Sequence, residues 1–405
     1  MTNNQLEILA MTQHNAHDIK AQHNLWLATI AFAVSFACWG IISGLAPLLK
    51  EELKLSVTQA SIMIAIPVLL GSIGRIPMGI LTDRYGGRLM LTILLVFTFI
   101  PALALTINHS YLSLLFWGLW LGLAGSSFAI GIAFVSKWFP PEKQGMALGI
   151  YGAGNIGQSI AVFGGPVLAG FIGIPRTLLF FGLASLAWGI VIWQFAHNAE
   201  NNSKPRTFKE NLEVLRTQKL AWVLSLFYGL TFGGFVALSI YLPTLYKEVF
   251  NLEPVIAGGL TALFVLIATF SRPLGGGLSD HFGGEKLLIF IFTGIFLIGW
   301  TLALPSFILF NLGVFGCAFI LGLGNSAVFK LVPQYFPQHT GTVTGLVGAT
   351  GGLGGFFPPI LLGIFRDSFG SYLPGFILFC LFGLVCDLVL NQTLLKHKNL
   401  SHHQV

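Results

Sequence analysis

Long apolar runs alternate with short polar breaks along almost the whole chain. A bilayer core about 30 Å thick needs about 20 apolar residues in a helix to cross it. This length predicts twelve membrane-spanning helices, at residues 25–49, 57–81, 89–107, 111–136, 145–171, 176–195, 220–246, 255–278, 287–305, 307–330, 341–364 and 372–391. The polar segments left over are an N-terminal tail 1–24, a linker 197–219 and a C-terminal tail 392–405.

The composition agrees with an all-α membrane protein. Of the 405 residues, 55% are hydrophobic and only 9% are charged, whereas an ordinary soluble domain carries about 25% charged residues. The mean hydropathy is +0.80. Residues 1–24 are too polar for a signal peptide, so we expect the first apolar run to remain as a helix.

Positive charges predict how the helices are oriented. Lys and Arg concentrate in the loops on the side of the termini, which places both termini in the cytoplasm by the positive-inside rule. This bias also explains the net charge of +6 without a nucleic-acid partner. Fourteen of these residues fall on the cytoplasmic side and five outside; the five are Lys50, Lys54, Arg176, Lys247 and Arg366.

The two remaining basic residues, Arg75 and Arg272, fall inside predicted spans. They are related by a repeat. "GILTDRYGG" (79–87) recurs as "GGLSDHFGG" (276–284), and "WFP" (138–140) recurs as "YFP" (335–337), each with the 197-residue offset that also separates the two arginines. The repeat predicts two pseudo-symmetric six-helix halves, 25–196 and 220–391, with a substrate site between them near the midplane. Arg75 and Arg272 should face each other there.

A second motif, Gly152, Gly154 and Gly157, has the G-x-G-x-x-G spacing of a dinucleotide-binding loop. That loop requires a preceding strand and an acidic residue about twenty positions on. Here the flanks are apolar runs, and no acidic residue occurs between Glu142 and Glu200. The four cysteines likewise have no metal-ligand or disulfide spacing, so we expect no cofactor and no metal.

The loop Asp83 to Arg88 resembles the signature of the major facilitator superfamily between its second and third helices, and Asp280 to Gly284 resembles a weaker copy. The resemblance extends to the nitrate/nitrite porter family, which has an arginine in helices two and eight and glycine-rich signatures in helices five and eleven. These features correspond to Arg75, Arg272, "GAGNIG" (152–157) and "GTVTGLVGATGGLGG" (341–355). The chain is most similar to the bacterial assimilatory branch, which implies a multi-pass protein of the inner membrane.

The resemblance also implies roles for individual residues. It implies that nitrate or nitrite binds Arg75 and Arg272, with Phe128, Phe232, Tyr228 and Asn155 as further substrate contacts. It implies that helix packing and gating depend on two groups of residues, the glycines Gly152, Gly154, Gly157, Gly348, Gly351 and Gly352 and the loop residues Asp83, Arg84 and Asp280. It also implies a functional monomer.

Physical chemistry points to the same substrate class. A charge at the bilayer centre costs about 3 kcal/mol and is normally paired or faces a watered cavity. The predicted spans offer almost no carboxylate as a partner, so the simplest counter-charge is an anionic substrate. A guanidinium group forms two-point hydrogen bonds with a flat oxyanion, which lysine cannot do.

Other interpretations remain open at this stage. The chain could carry another small anion, such as formate or another carboxylate, although a larger or doubly charged substrate would normally require more basic groups. A membrane enzyme or a nutrient receptor is disfavoured, because the membrane spans contain no catalytic cluster and the chain has no sizeable soluble domain. Two coupling modes, exchange of nitrate for nitrite and symport with a proton, are both compatible with the sequence.

Overall fold

The computed structural model describes residues 3–199, 218–336 and 340–395. Within them, twelve helices are long and apolar enough to cross a membrane, as predicted, and no strand occurs. We number them α1 (Asp18–Glu52), α2 (Val57–Tyr85), α3 (Gly87–Ile107), α4 (Tyr111–Ser136), α5 (Met146–Ile172), α6 (Ile174–Phe195), α7 (Lys219–Phe250), α8 (Pro254–Phe282), α9 (Gly284–Ala303), α10 (Phe307–Tyr335), α11 (Val343–Phe369) and α12 (Leu373–Thr393).

The polar segments predicted outside the membrane are only partly described. The N-terminal tail is helical from Asn3 and continues into α1. Residues 200–217 of the predicted linker and 396–405 of the C-terminal tail lie outside the described residues, as do residues 337–339, which include the proline of the "YFP" repeat.

The twelve helices form two halves, α1–α6 and α7–α12, that contact each other mainly through two helix pairs. In these pairs α5 packs against α8 and α2 packs against α11. Both contacts use glycine. A Cβ added at Gly258 would overlap the carbonyl of Val162, and one added at Gly363 would overlap the side chain of Ser61. The absence of side chains at these two positions therefore sets how closely the halves approach.

Burial separates interior helices from peripheral ones. We compare the 18-residue stretch of each helix that is most apolar. The buried share of this stretch is 89% in α7 and 78% in α1, but only 28% in α12. Because lipid is as apolar as a protein core, the outward faces keep large exposed hydrophobic side chains such as Phe171, Phe290 and Leu388. Helices α1 and α7 thus form the centre of the molecule, where a site between the halves must lie.

The repeated loop signature turns at a glycine in both halves. Gly86 follows α2 with a φ of 86°, and Gly283 follows α8 with a φ of 89°. Residues with a Cβ rarely adopt this backbone conformation. A Cβ at Gly283 would meet only the far end of Glu285, at 3.6 Å, so its requirement for glycine is conformational and not steric.

Replacing Gly283 by alanine should therefore lower stability by about 1–3 kcal/mol, because its φ of 89° and ψ of 138° lie in a backbone region that residues with a Cβ rarely adopt. The measurement is thermal unfolding of the purified protein in detergent. Gly277→Ala is the control, because Gly277 lies inside α8 with open space around it and alanine favours helix there. An equal fall in the melting temperature of both variants would contradict this account.

Candidate functional site: an arginine pair between the two halves

Arg75 lies on α2 and reaches across to the other half. Its side chain is buried, with 6% of the residue exposed. Nη1 donates a hydrogen bond to the backbone carbonyl of Gly348 on α11, at 2.8 Å, while Nε is buried and has no hydrogen-bond partner. Arg75 therefore keeps donors that a ligand could use.

Arg272 lies at the equivalent position of α8 and is less satisfied. Its Nε and Nη2 are both buried and have no hydrogen-bond partner among the residues that the structure describes. The backbone of Arg272 is held by α10, because the hydroxyl of Ser326 donates to its carbonyl at 2.7 Å. The helix is thus fixed while the guanidinium group remains unpaired.

Aromatic rings bring the two arginines together. The guanidinium carbon of Arg75 lies 5.2 Å from the centroid of the Phe232 ring, and that of Arg272 lies 5.6 Å from the same ring. Phe128 contacts Arg75 at 5.5 Å, and Phe235 contacts Arg272 at 5.4 Å. Each such contact stabilises a desolvated cation by about 1–2 kcal/mol. Both guanidinium groups therefore lie within about 6 Å of one ring, that of Phe232, and their facing each other across a substrate site stays a prediction.

Tyr228 adds a buried hydroxyl to this group. Its ring stacks on Phe232, with the centroids 5.0 Å apart and the planes at 4°. The residue is fully buried, and its hydroxyl has no hydrogen-bond partner. A buried tyrosine usually finds such a partner, so this hydroxyl is a further free donor beside the arginines.

Asn155 is placed differently from the other predicted contacts. It ends a short 3₁₀ segment, Ala153–Asn155, inside α5, and its Nδ2 donates to the carbonyl of Gly152 at 2.9 Å. Its Oδ1 is buried without a partner. Among the described contacts, none joins Asn155 to either arginine, so its role in binding stays a prediction.

Carboxylates are paired elsewhere in the molecule. Asp83 forms an ion pair with Lys137 at 3.0 Å, and Asp280 forms one with Lys330, each within its own half. Arg84 lies over the ring of Tyr85, at 5.2 Å. Across the described residues, no carboxylate pairs with Arg75 or Arg272, and no group of His, Cys, Asp and Glu could hold a metal ion. The gating role of the loop residues stays a prediction.

Three of the signature glycines lie against neighbouring side chains or backbone in their own half. A Cβ added at Gly154 would overlap Phe32, one at Gly157 would overlap the backbone of Ala33, and one at Gly351 would overlap Tyr228. Gly351 thus leaves room for the ring of Tyr228.

The other signature glycines divide into two kinds. A Cβ at Gly352 would overlap the hydroxyl of Ser72 in the other half and approach Arg75 Nη1 to 3.4 Å. At Gly152 and Gly348 an added Cβ would have nothing within 4 Å. These two glycines face open space in this conformation, and their predicted contribution to helix packing stays a prediction.

Comparison with known proteins gives the family. Residues 28–359 match the profile described as Major Facilitator Superfamily. The chain is 38% identical to the "Nitrite extrusion protein" of Bacillus subtilis, over 88% of this chain and 91% of that protein. It is 39% identical to the "Probable nitrate/nitrite antiporter NarK1" of Thermus thermophilus, with 92% and 91% covered. It is also 35% identical to the "Probable nitrate transporter NarT" of Staphylococcus epidermidis, with 90% and 95% covered.

The chain belongs to the nitrate/nitrite porter family of the major facilitator superfamily. The porter is a multi-pass membrane protein and, like these relatives, not an enzyme. Among solved structures, a bacterial homologue of the human lysosomal transporter Spinster, in an inward-facing and unoccupied conformation, has the same fold. Its TM-score is 0.72 at 16% identity, with 92% of the porter and 96% of that chain covered.

The structure adds site features that sequence reasoning missed. Phe235 is a second ring on Arg272, and its spacing of three residues from Phe232 on one helix face could have signalled it. The carbonyl of Gly348 binds Arg75, but a backbone acceptor leaves no sequence signal. Asn325 is buried with an amide that has no partner. An amide inside a predicted span could have drawn attention to it.

Substituting alanine for Gly352 should weaken anion binding, because the added methyl group overlaps Ser72 and crowds Arg75. We expect a loss of about 10-fold or more, since each charge-assisted hydrogen bond contributes about 1.5–3 kcal/mol. Gly345→Ala on the same helix is the control, because a Cβ there meets nothing within 4 Å. Binding is measured as oxyanion-dependent thermal stabilisation of the porter. Equal binding by both variants would contradict the crowding argument.

Proposed function

We propose that this porter carries nitrate, and also nitrite, across the cytoplasmic membrane by alternating access, with the anion held between Arg75 and Arg272. One observation carries the proposal: the guanidinium groups of the buried Arg75 and the partly buried Arg272 contact the same phenylalanine ring, and neither pairs with a carboxylate among the described residues. The names of the relatives, which refer to nitrate and nitrite transport, support the choice of anion.

The geometry suits a small, flat, singly charged ion. A guanidinium group presents parallel N–H donors that match two oxygens of a planar oxyanion. Phe128 and Phe232 present ring surfaces beside Arg75, which favours a thin ligand over a tetrahedral one. Formate and other small carboxylates have the same charge and a similar planar group, and they form the alternative substrate class.

The proposed coupling rests on the charges of the protein itself. Among the described residues, Arg75 has the carbonyl of Gly348 as an acceptor, whereas Nε and Nη2 of Arg272 have none. Closing the halves around this pair would bring two like charges into a dry space, which is costly. This cost favours exchange of nitrate for nitrite over return of the empty carrier. The second possible coupling mode is symport of the anion with a proton. We further propose that the porter functions as a monomer and that both termini lie in the cytoplasm.

Contacts between the halves support alternating access. On the side opposite the termini, the hydroxyl of Ser61 on α2 donates to the hydroxyl of Tyr241 on α7, at 2.8 Å. The amide of Gln158 on α5 donates to the hydroxyl of Ser239 on α7, also at 2.8 Å. On the side of the termini, glycine faces such as that of Gly345 border open space. These features correspond to an inward-facing conformation if the termini are cytoplasmic.

The outer ends of α1 and α7 are joined by two reciprocal ion pairs. Lys50 pairs with Glu248, and Lys247 pairs with Glu51, the latter at 3.0 Å. Lys50 and Lys247 are related by the 197-residue repeat, as are Glu51 and Glu248. We call these four residues the outer ion-pair cluster. Because every pair joins one half to the other, the cluster must break when the porter opens outward.

Arg75→Lys is the test of the binding site. We expect nitrate uptake into proteoliposomes to fall about 10- to 100-fold, because an ammonium group cannot replace a two-point contact worth about 1.5–3 kcal/mol. Arg176→Lys, an exposed position outside the site, should leave uptake unchanged. Full uptake by Arg75→Lys would contradict the proposal. Uptake is measured with and without nitrite inside the proteoliposomes: uptake that requires internal nitrite indicates exchange, and uptake without it indicates symport. Competition by formate and by chloride in the same assay tests other anions as substrates.

Lys50→Glu tests the outer ion-pair cluster. The new carboxylate would repel Glu248 in place of the ion pair that holds the outer ends of α1 and α7 together, so the outer side should open. Uptake should fall several-fold, because a partly exposed ion pair contributes about 1 kcal/mol to the closed conformation. The double swap Lys50→Glu with Glu248→Lys should restore both properties. The outer separation is measured by electron paramagnetic resonance between spin labels at Ser110 and Ser306. Lys54→Glu, which changes charge in the same cavity, is the control, and an identical effect there would contradict the assignment.

A further inference from the structure

Asn325 on α10 is a buried amide without a partner. Only 2% of the residue is exposed, and neither Oδ1 nor Nδ2 forms a hydrogen bond with the part of the chain that the structure describes. Burying an amide in this state is costly, and such groups normally bond to protein, water or ligand. The residue is therefore a candidate for contact with something that enters the site.

The neighbours of Asn325 on its helix locate it. One position later, Ser326 bonds the carbonyl of Arg272. One turn later, the ring of Phe329 packs on Tyr228, with the centroids 4.6 Å apart. One turn earlier, Gly322 lies against Ser271 of α8. Residues spaced by three and four share a face of a helix, so Asn325 lies on the same face of α10 as Gly322 and Phe329, towards Ser271 of α8 and Tyr228 of α7. Ser271 immediately precedes Arg272.

The repeat gives Asn325 a counterpart. The 197-residue offset relates it to Phe128 on α4, and the ring of Phe128 contacts Arg75 at 5.5 Å. The duplicated position therefore provides a ring beside Arg75 in one half and a buried amide in the other half. A ring can only lie over a cation, whereas an amide both accepts and donates hydrogen bonds.

We infer that Asn325 is a substrate-positioning and specificity residue on the Arg272 side of the site. In the conformation of the structure neither the Asn325 amide nor Nε or Nη2 of Arg272 is bonded among the described residues; when the anion binds, Oδ1 of Asn325 accepts a hydrogen bond from Nε or Nη2 of Arg272 and orients that guanidinium group. Its Nδ2 then donates to an oxygen of the bound anion, which can only accept. The inference rests on the proposed function, because it requires an anion between the arginines. If Asn325 has this role, the porter should prefer oxyanions to chloride, because chloride gains less from directed hydrogen bonds.

The experiment compares Asn325→Ala, Asn325→Asp and a control on the same helix. The control is Asn311→Ala, because the amide of Asn311 is already satisfied: its Oδ1 accepts from the hydroxyl of Tyr246 and its Nδ2 donates to the carbonyl of Phe307. Each porter variant is assayed for nitrate uptake in proteoliposomes, for chloride competition, and for thermal stabilisation by nitrate, nitrite, formate and chloride.

We expect Asn325→Ala to raise the KM for nitrate about 10-fold, from the loss of a hydrogen bond to a charged group. We also expect chloride to compete better and the melting temperature without ligand not to fall. Asn325→Asp should abolish uptake in a folded protein, because its carboxylate pairs with Arg272 and repels the anion. Asn311→Ala should lower the melting temperature and leave the KM unchanged.

The outcomes that overturn the inference are distinct from failure of the proposed function. An unchanged KM and unchanged chloride competition in Asn325→Ala would overturn the role of Asn325 while nitrate transport stands. If the unmodified porter is stabilised by a different anion of the panel, the proposed substrate fails, and the same variants test Asn325 on that anion. If none of the anions stabilises the unmodified porter, both proposals fail.

Discussion

Two permanently charged guanidinium groups inside the helix bundle are the constraint on which the rest of this porter depends. A guanidinium group cannot lose its proton to escape an apolar environment, so it must be compensated by contacts. Arg75 and Arg272 obtain only part of that compensation, from aromatic rings and from the backbone carbonyl of Gly348. The negative charge that would complete it is the basis for proposing an anionic substrate.

Duplication placed the same cation twice but did not surround it in the same way. Arg75 is bonded to the opposite half, whereas Nε and Nη2 of Arg272 form no hydrogen bond with the described part of the chain. A site built from two identical surroundings would bind a ligand with two-fold symmetry. The two arginines of this porter are instead satisfied by the protein to different degrees.

The interface between the halves combines weak polar contacts on one side with bare helix faces on the other. Single hydrogen bonds and partly exposed ion pairs contribute about 1 kcal/mol each, so they can hold one conformation and still break during a transport cycle. Gly152 on α5 and Gly348 on α11 have no side chains, and a Cβ added at either would meet nothing within 4 Å; their contribution to movement of the halves stays a prediction. An interface of this kind suits two states of similar free energy.

The fold, the repeat and the two charged residues could be predicted from the sequence alone, because apolar length, a constant offset and a charge inside a membrane span are all properties of the linear chain. Which side chains meet could be seen only in the folded molecule. Both arginines contact Phe232 and Arg272 also contacts Phe235, whereas no described contact joins Asn155 to either arginine. Such contacts depend on how helices from distant parts of the chain are rotated against each other, and local sequence does not encode that rotation.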